Sequence, residues 1–210
     1  MYSSLREYIE RLEREGELVR IKTRVDTRFE IAELTDRMAK SEGGGKALLF
    51  ENTGTEFPVV TNMMGSKRRM AMALGVDRLE DIGDRITALL GDALSPKATL
   101  WEKMKMLPLL ADVAKWFPQS VSGRGECQQV VWQGEEADLE RLPLLTSWES
   151  DGGAFVTLPM VNTLDPDTGV RNVGMYRMQR FDGHTTGMHW HIHKTGARHY
   201  DGYKRLGKRM

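Results

Sequence analysis

The chain has 210 residues, enough for one large domain or two small ones with a sizeable core and no need of disulfide or metal staples. Thirty basic residues balance thirty acidic ones, which argues against a protein held to nucleic acid or an anionic membrane by net positive charge. A single cysteine, Cys127, excludes an internal disulfide and suits a reducing, cytoplasmic location, and no stretch approaches the roughly 20 apolar residues of a membrane span or a signal peptide's basic start and apolar run.

Ser4-x-x-Glu7 reads as a capping box before a short amphipathic helix, with Leu5, Tyr8, Ile9 and Leu12 on one face and Gly16 as its stop. Residues 18–22 predict a strand. Thr27-x-x-Glu30 opens a second helix with Ile31, Leu34 and Met38 inward, and Gly43-Gly44-Gly45 ends it. Apolar runs at 47–51 and 57–62, parted by Asn52-Thr53-Gly54-Thr55, predict a hairpin. Residues 67–117 read as helices: over 67–74, then with Leu79, Ile82, Ile86, Leu89 and Leu90 at helical spacing, then over 100–117 with an interruption at Pro108. Their apolar stripe is a packing face and carries no chemistry.

From Gly123 the pattern changes to strands and turns. Runs at 126–133, 154–163, 172–181 and 186–193 predict an antiparallel meander or barrel, with turns at Asp165-Pro166-Asp167-Thr168-Gly169 and Asp182-Gly183. A domain boundary is expected near residue 120. The basic stretch 203–210 shows no period and predicts a frayed terminus, or a chain that stops soon after its most chemically loaded segment.

That segment holds three histidines, His189, His191 and His193, alternating with Trp190 and Ile192, so a strand there presents an imidazole-rich face suited to a metal ion. On the run before it, Asn172, Gly174 and Tyr176 share one face, and Val173, Met175 and Arg177 the other. Asn172 offers an amide oxygen for a hard cation, Gly174 admits close approach to the backbone, and Arg177 offers a planar fork for a carboxylate or phosphate. Pairing of these two runs through Asp182-Gly183 would let Asn172 and His193 converge. Such mixed oxygen and nitrogen donors favour manganese or magnesium over structural zinc.

Asn172-x-Gly174-x-Tyr176-Arg177, Gly187-Met188-His189-Trp190 leading into His193, and Asp165-Pro166-x-Thr168-Gly169 together resemble the UbiD family of reversible decarboxylases. Asp138-Leu139-x-x-Leu142-Pro143, Trp148-x-x-Asp151-Gly152-Gly153 and Ala47-Leu48-Leu49-Phe50-Glu51-Asn52 extend the resemblance, in order, over about residues 5 to 200. It implies an α+β protein: an amino-terminal domain over 1–120, then the start of an antiparallel split β-barrel flavin-binding domain over 121–210. A carboxy-terminal oligomerisation domain would follow, so the full-length form is expected to be a homo-oligomer.

The same resemblance implies a prenylated FMN cofactor from a flavin prenyltransferase, its phosphate held through Mn2+ (or Mg2+) with K+ nearby. By position Asn172 and His193 resemble the metal ligands. Thr157, Met175, Tyr176, Arg177, His189, Trp190, His191, Lys194 and Thr195 resemble the cofactor contacts, and Arg177 also the catalytic arginine that orients a small carboxylic acid substrate. The family's metal-completing glutamate and its acidic proton donors have no counterpart before Met210. The 210 residues alone are therefore expected to be incomplete and inactive in decarboxylation. Two rivals stand beside this reading: a non-catalytic flavin-binding module or half of a split enzyme, and a cupin-like metal protein using His191-x-His193. The second lacks a carboxylate in Lys194-Thr195-Gly196-Ala197-Arg198.

Overall fold

The computed structural model describes residues 2–94, 104, 107–118 and 122–210. Ser4 caps helix α1 (Leu5–Arg14) by accepting the Glu7 N–H at 3.3 Å. Glu7 reaches back one residue further than a capping box requires. Its carboxylate accepts from the Ser3 N–H at 2.7 Å and the Ser3 hydroxyl at 2.9 Å, bonds that hold it below the ordinary carboxylate range. Tyr8 and Leu12, one turn apart, are the buried residues of α1.

Strand β1 (Leu18–Ile21), helix α2 (Glu30–Ala39) and strand β2 (Ala47–Phe50) form a βαβ unit, with β1 parallel to β2 from Leu18↔Ala47 to Ile21↔Phe50. Strand β3 (Val59–Thr61) adds antiparallel to β2, completing the predicted hairpin. All four β2 residues are buried, as befits a central strand covered on both faces. Val25, Ile31, Leu48 and Phe50 form one apolar cluster, and Tyr8, Leu12 and Ala47 a second.

The start of α2 differs from expectation. Its N-cap is Phe29, at φ 70°, and Glu30 accepts the Asp26 N–H at 2.7 Å. Thr27 is engaged elsewhere: its carbonyl accepts the Thr146 N–H at 3.2 Å, while the Phe29 N–H donates to the Thr146 carbonyl at 2.9 Å. Leu34 is exposed rather than inward.

Helix α3 (Lys67–Leu74) is tied down by Arg69, whose side chain is fully buried. Its guanidinium donates to Glu17 at 2.9 Å and to the Gly44 carbonyl at 3.1 Å, and its own carbonyl accepts from the Tyr8 hydroxyl at 2.7 Å. Helices α4 (Glu80–Leu94) and α5 (Leu107–Ala114) follow. Pro108 occupies the first turn of α5, where a missing N–H breaks no helical bond. The remainder of the predicted helix over 100–117 lies partly outside the described residues, as does the expected boundary near 120. No described helix is long and apolar enough to cross a membrane.

The predicted strand at 126–133 is absent. Residues Glu126–Gln128 form a 3-10 turn in which the Gln128 side chain accepts the Gly125 N–H at 2.9 Å, and Val130 and Val131 are exposed without a partner strand among the described residues. Leu145 then packs on the first apolar cluster and bridges to Phe155, whose N–H it accepts at 3.1 Å, so the strands beyond hang from the amino-terminal layer.

Those strands do not close a barrel. They are β4 (Phe155–Val156), β5 (Met160–Leu164), β6 (Arg171–Met175), β7 (Met178–Arg180) and β8 (Thr186–Met188), arranged as a three-stranded sheet β4-β7-β8 and a two-stranded sheet β5-β6. The predicted runs 154–163 and 172–181 are each broken once, opposite each other. Register steps from Met160↔Met175 to Val156↔Met178, so the three residues 157–159 face the two residues 176–177, as in a β-bulge. Pro159 lacks a ladder N–H, and the chain bends just before it, at Leu158.

The first part of the expected aperiodic tail, 203–205, is instead the end of helix α6 (Thr195–Arg205), while 206–210 are turn and coil with Gly207 at φ 64°. Its buried positions are Gly196, His199 and Gly202, none of them strongly apolar, which is why no hydrophobic period was visible. The two glycines let the helix lie close: a Cβ at 202 would sit 2.7 Å from Pro166.

Candidate functional site

The bulge gathers three of the predicted site residues, Thr157, Tyr176 and Arg177. Bulges re-aim side chains, and here strand alternation stops governing position 177. The Arg177 guanidinium carbon lies 4.2 Å above the Phe155 ring, a cation–π contact, and the group makes no hydrogen bond among the described residues. Phe155 also meets the His189 ring edge-on at 5.7 Å, and the His189 N–H donates to the Arg177 carbonyl at 3.0 Å. Phe155, which carried no sequence signal, therefore links the arginine to the histidine segment.

Tyr176 turns the other way and is 5% exposed. Its ring folds over Gly174, where a Cβ would lie 2.4 Å from the ring, so the close approach that Gly174 permits is that of Tyr176 itself. The Tyr176 hydroxyl accepts the Gly196 N–H at 2.9 Å and an amide hydrogen of Asn172 at 3.3 Å. Asn172 donates also to the Thr163 hydroxyl at 3.1 Å, across the β5–β6 register pair Thr163↔Asn172. Both contacts engage the amide nitrogen, leaving Oδ1 without a hydrogen-bond partner among the described residues. Trp190 packs against Tyr176 and Tyr200, at ring separations of 6.0 and 5.6 Å.

Two expectations about the histidines are corrected. Strand β8 ends at Met188, so His189, His191 and His193 do not share a strand face. Residues 189–194 form a coil and turn closed by the Lys194 N–H donating to the His191 carbonyl at 2.9 Å. All three are exposed; His191 and His193 stack at 5.6 Å, and His189 meets Phe155. Nor does the Asn172 strand pair with the histidine strand, because β6 pairs with β5 and β8 with β7. The two segments approach instead through the Tyr176 hydroxyl, which joins Asn172 to the first turn of α6, three residues beyond His193.

Met175, Thr157, His191, His193 and Lys194 are exposed around this corner, and Thr195 starts the helix. Sequence reasoning missed Phe155, Thr163 and His199. Counting back from the turn at 165–169 would have set Thr163 opposite Asn172, since Leu164 and Arg171 flank it.

The chain is similar to known proteins along both of its parts. Residues 9–86 match the family model of the 3-octaprenyl-4-hydroxybenzoate carboxy-lyase N-terminal domain, and residues 119–210 that of the carboxy-lyase Rift-related domain. The chain belongs to the UbiD family. An uncharacterized protein of Aquifex aeolicus is 47% identical over the whole of this chain, which spans 42% of that relative. Vanillic acid decarboxylase of Sedimentibacter hydroxybenzoicus, in closed form, superposes with a TM-score of 0.76 at 28% identity, over 99% of this chain and 41% of that one. An evolved dimeric form of the UbiD-class enzyme HmfF from Pelotomaculum thermopropionicum, in complex with prenylated FMN, does so with a TM-score of 0.67 at 28% identity, over 99% and 42%. The chain thus spans about two fifths of the relatives it matches.

Proposed function

We propose that these residues form the cofactor-facing part of a reversible, non-oxidative decarboxylase of aromatic or α,β-unsaturated carboxylic acids, working with prenylated FMN and Mn2+ (or Mg2+). The observation that carries this reading is the Tyr176 hydroxyl, which brings an unengaged amide oxygen on Asn172 beside the start of α6. That corner suits a phosphate and a divalent ion. Amide and imidazole donors fit a hard to borderline cation, and the N-terminus of a helix attracts an anion. Asn172 and His193 would hold the ion. Lys194 and Thr195 would face the phosphate, and Thr157, Met175, Tyr176, His189, Trp190 and His191 the rest of the cofactor.

Bound prenylated FMN would supply the electron sink for the carbanion left as CO2 departs. Arg177 would hold the substrate carboxylate through paired, charge-assisted hydrogen bonds. Its rest on Phe155 supports that role, because the ring restrains the guanidinium without occupying its N–H donors. The test is co-expression with a flavin prenyltransferase followed by an ultraviolet–visible spectrum of the purified chain. Retained flavin absorbance that disappears in Asn172→Ala is expected, and a colourless wild-type protein overturns the cofactor assignment.

A second reading, a flavin-holding module that reacts only with further residues or a partner polypeptide, is favoured by one observation. Among the described residues no three His, Cys, Asp or Glu side chains gather around a metal position. Decarboxylation by the 210-residue chain supplied with prenylated FMN and Mn2+ would decide against it.

A further inference from the structure

Beneath the candidate site lies a buried polar chain that the proposed chemistry does not use. Thr163 is 5% and His199 3% exposed, in a region where burial of polar side chains is otherwise rare. The Thr163 hydroxyl meets His199 Nδ1 at 3.0 Å, and Asp165 Oδ2 faces His199 Nε2 at 3.6 Å. Asp165 is itself fixed. Its Oδ1 accepts the N–H groups of Asp167 at 2.9 Å and Thr168 at 3.0 Å. These bonds, that to Thr168 first, hold the carboxyl below its ordinary range and keep it charged near neutrality.

We infer that Asp165, His199 and Thr163 form a positioning relay that decides which end of the Asn172 amide faces inward, and so presents Asn172 Oδ1 to a divalent cation. The inference rests on the reading of Asn172 as a metal ligand. A carboxylate beside Nε2 favours the tautomer with the proton on that nitrogen, leaving Nδ1 an acceptor. Nδ1 then takes the Thr163 hydroxyl hydrogen. With that hydrogen committed, Thr163 Oγ1 can only accept, and the group opposite it must be the amide N–H2 of Asn172. The amide oxygen is thereby turned away from the protein interior.

Without the Asp165 charge, His199 can carry its proton on Nδ1 and donate it to Thr163. The freed hydroxyl hydrogen can then go to Asn172 Oδ1, and a flipped amide buries the oxygen that should ligate the metal. Partners of this kind, one step removed from a metal, commonly change its affinity by roughly 10- to 100-fold.

Two measurements test the relay on the whole 210-residue chain. The first needs no metal: 15N NMR of the histidine rings should show His199 in the Nε2–H tautomer, and an Nδ1–H tautomer overturns the relay outright. The second is titration with Mn2+ alone, following free ion by electron paramagnetic resonance, with circular dichroism to confirm folding. Thr163→Val and Asp165→Asn should each weaken binding about tenfold, while Thr163→Ser, which keeps the hydroxyl, should bind as wild type. If Asn172→Ala binds as tightly as wild type, or wild type binds no Mn2+, the metal reading falls and the tautomer alone decides the relay. If Asn172→Ala loses Mn2+ but Thr163→Val and Asp165→Asn do not, the metal reading stands and the relay is wrong.

Discussion

The amino-terminal layer and the 155–205 region are built on opposite principles. In the first, a buried central strand joins apolar clusters around Phe50 and Leu12. In the second, Thr163 and His199 are buried while Met160, Val173, Met175 and Ile192 lie 81%, 56%, 66% and 94% exposed. Hydrophobic burial stabilises the one; hydrogen bonds and close glycine contacts shape the other. A region that leaves apolar faces bare while fixing an asparagine through two neighbours, Thr163 and Tyr176, is shaped by polar contacts rather than by a core.

Substitutions in each region should break the contrast in different ways. The largest effect is expected from Phe50→Ala, which empties the centre of the first cluster and should cost about 3–5 kcal/mol in denaturant unfolding. Arg69→Met, in the same layer, leaves the Gly45 carbonyl without its donor and takes from Glu17 and the Gly44 carbonyl one of two partners each, Arg68 and Asn62 remaining, and should cost about 1–3 kcal/mol by the same measurement. Neither should alter the ring environment of Tyr176 at temperatures where the variant remains folded.

In the second region Gly174→Ala forces the Tyr176 ring off the backbone. It should cost about 1–3 kcal/mol, and its sharper signature is a changed near-ultraviolet circular dichroism spectrum at full folding. The smallest effect is expected at Asp165. Its folded pKa lies below the ordinary 3.8, so its stabilisation is fully present above that value and fades as pH falls through the lower, folded value. Asp165→Asn should remove that part of the acid sensitivity, seen as a flatter dependence of stability on pH below about 4, with a small loss of stability near neutrality that vanishes on acidification.

The first region was largely legible in the sequence because apolar period and turn chemistry agree there: Ser4 and the 47–51 and 57–62 runs act as read, although α2 stops at Ala39, four residues before the triple glycine expected to end it. Thr27 was misread because its carbonyl accepts the Thr146 N–H, beside the bridge of Arg28 to Thr146, a contact 119 positions away that no local pattern announces. In the second region the residue types pointed to chemistry, yet the geometry did not follow from alternation. One extra residue at 157–159 resets the register, and alternation ends at Met188 just before the histidines. Helix α6 was invisible because glycine and histidine, not leucine, face its neighbours.

The closeness of α6 to the β5–β6 hairpin has an evolutionary corollary. With Gly202 against Pro166, and Gly196 within 3.0 Å of both Tyr176 and Trp190 were it to gain a Cβ, a change at one position of either set is tolerable only with a change at its neighbour. Related sequences should therefore show correlated substitution between 166 and 202, and among 176, 190 and 196, while their exposed helical positions drift independently.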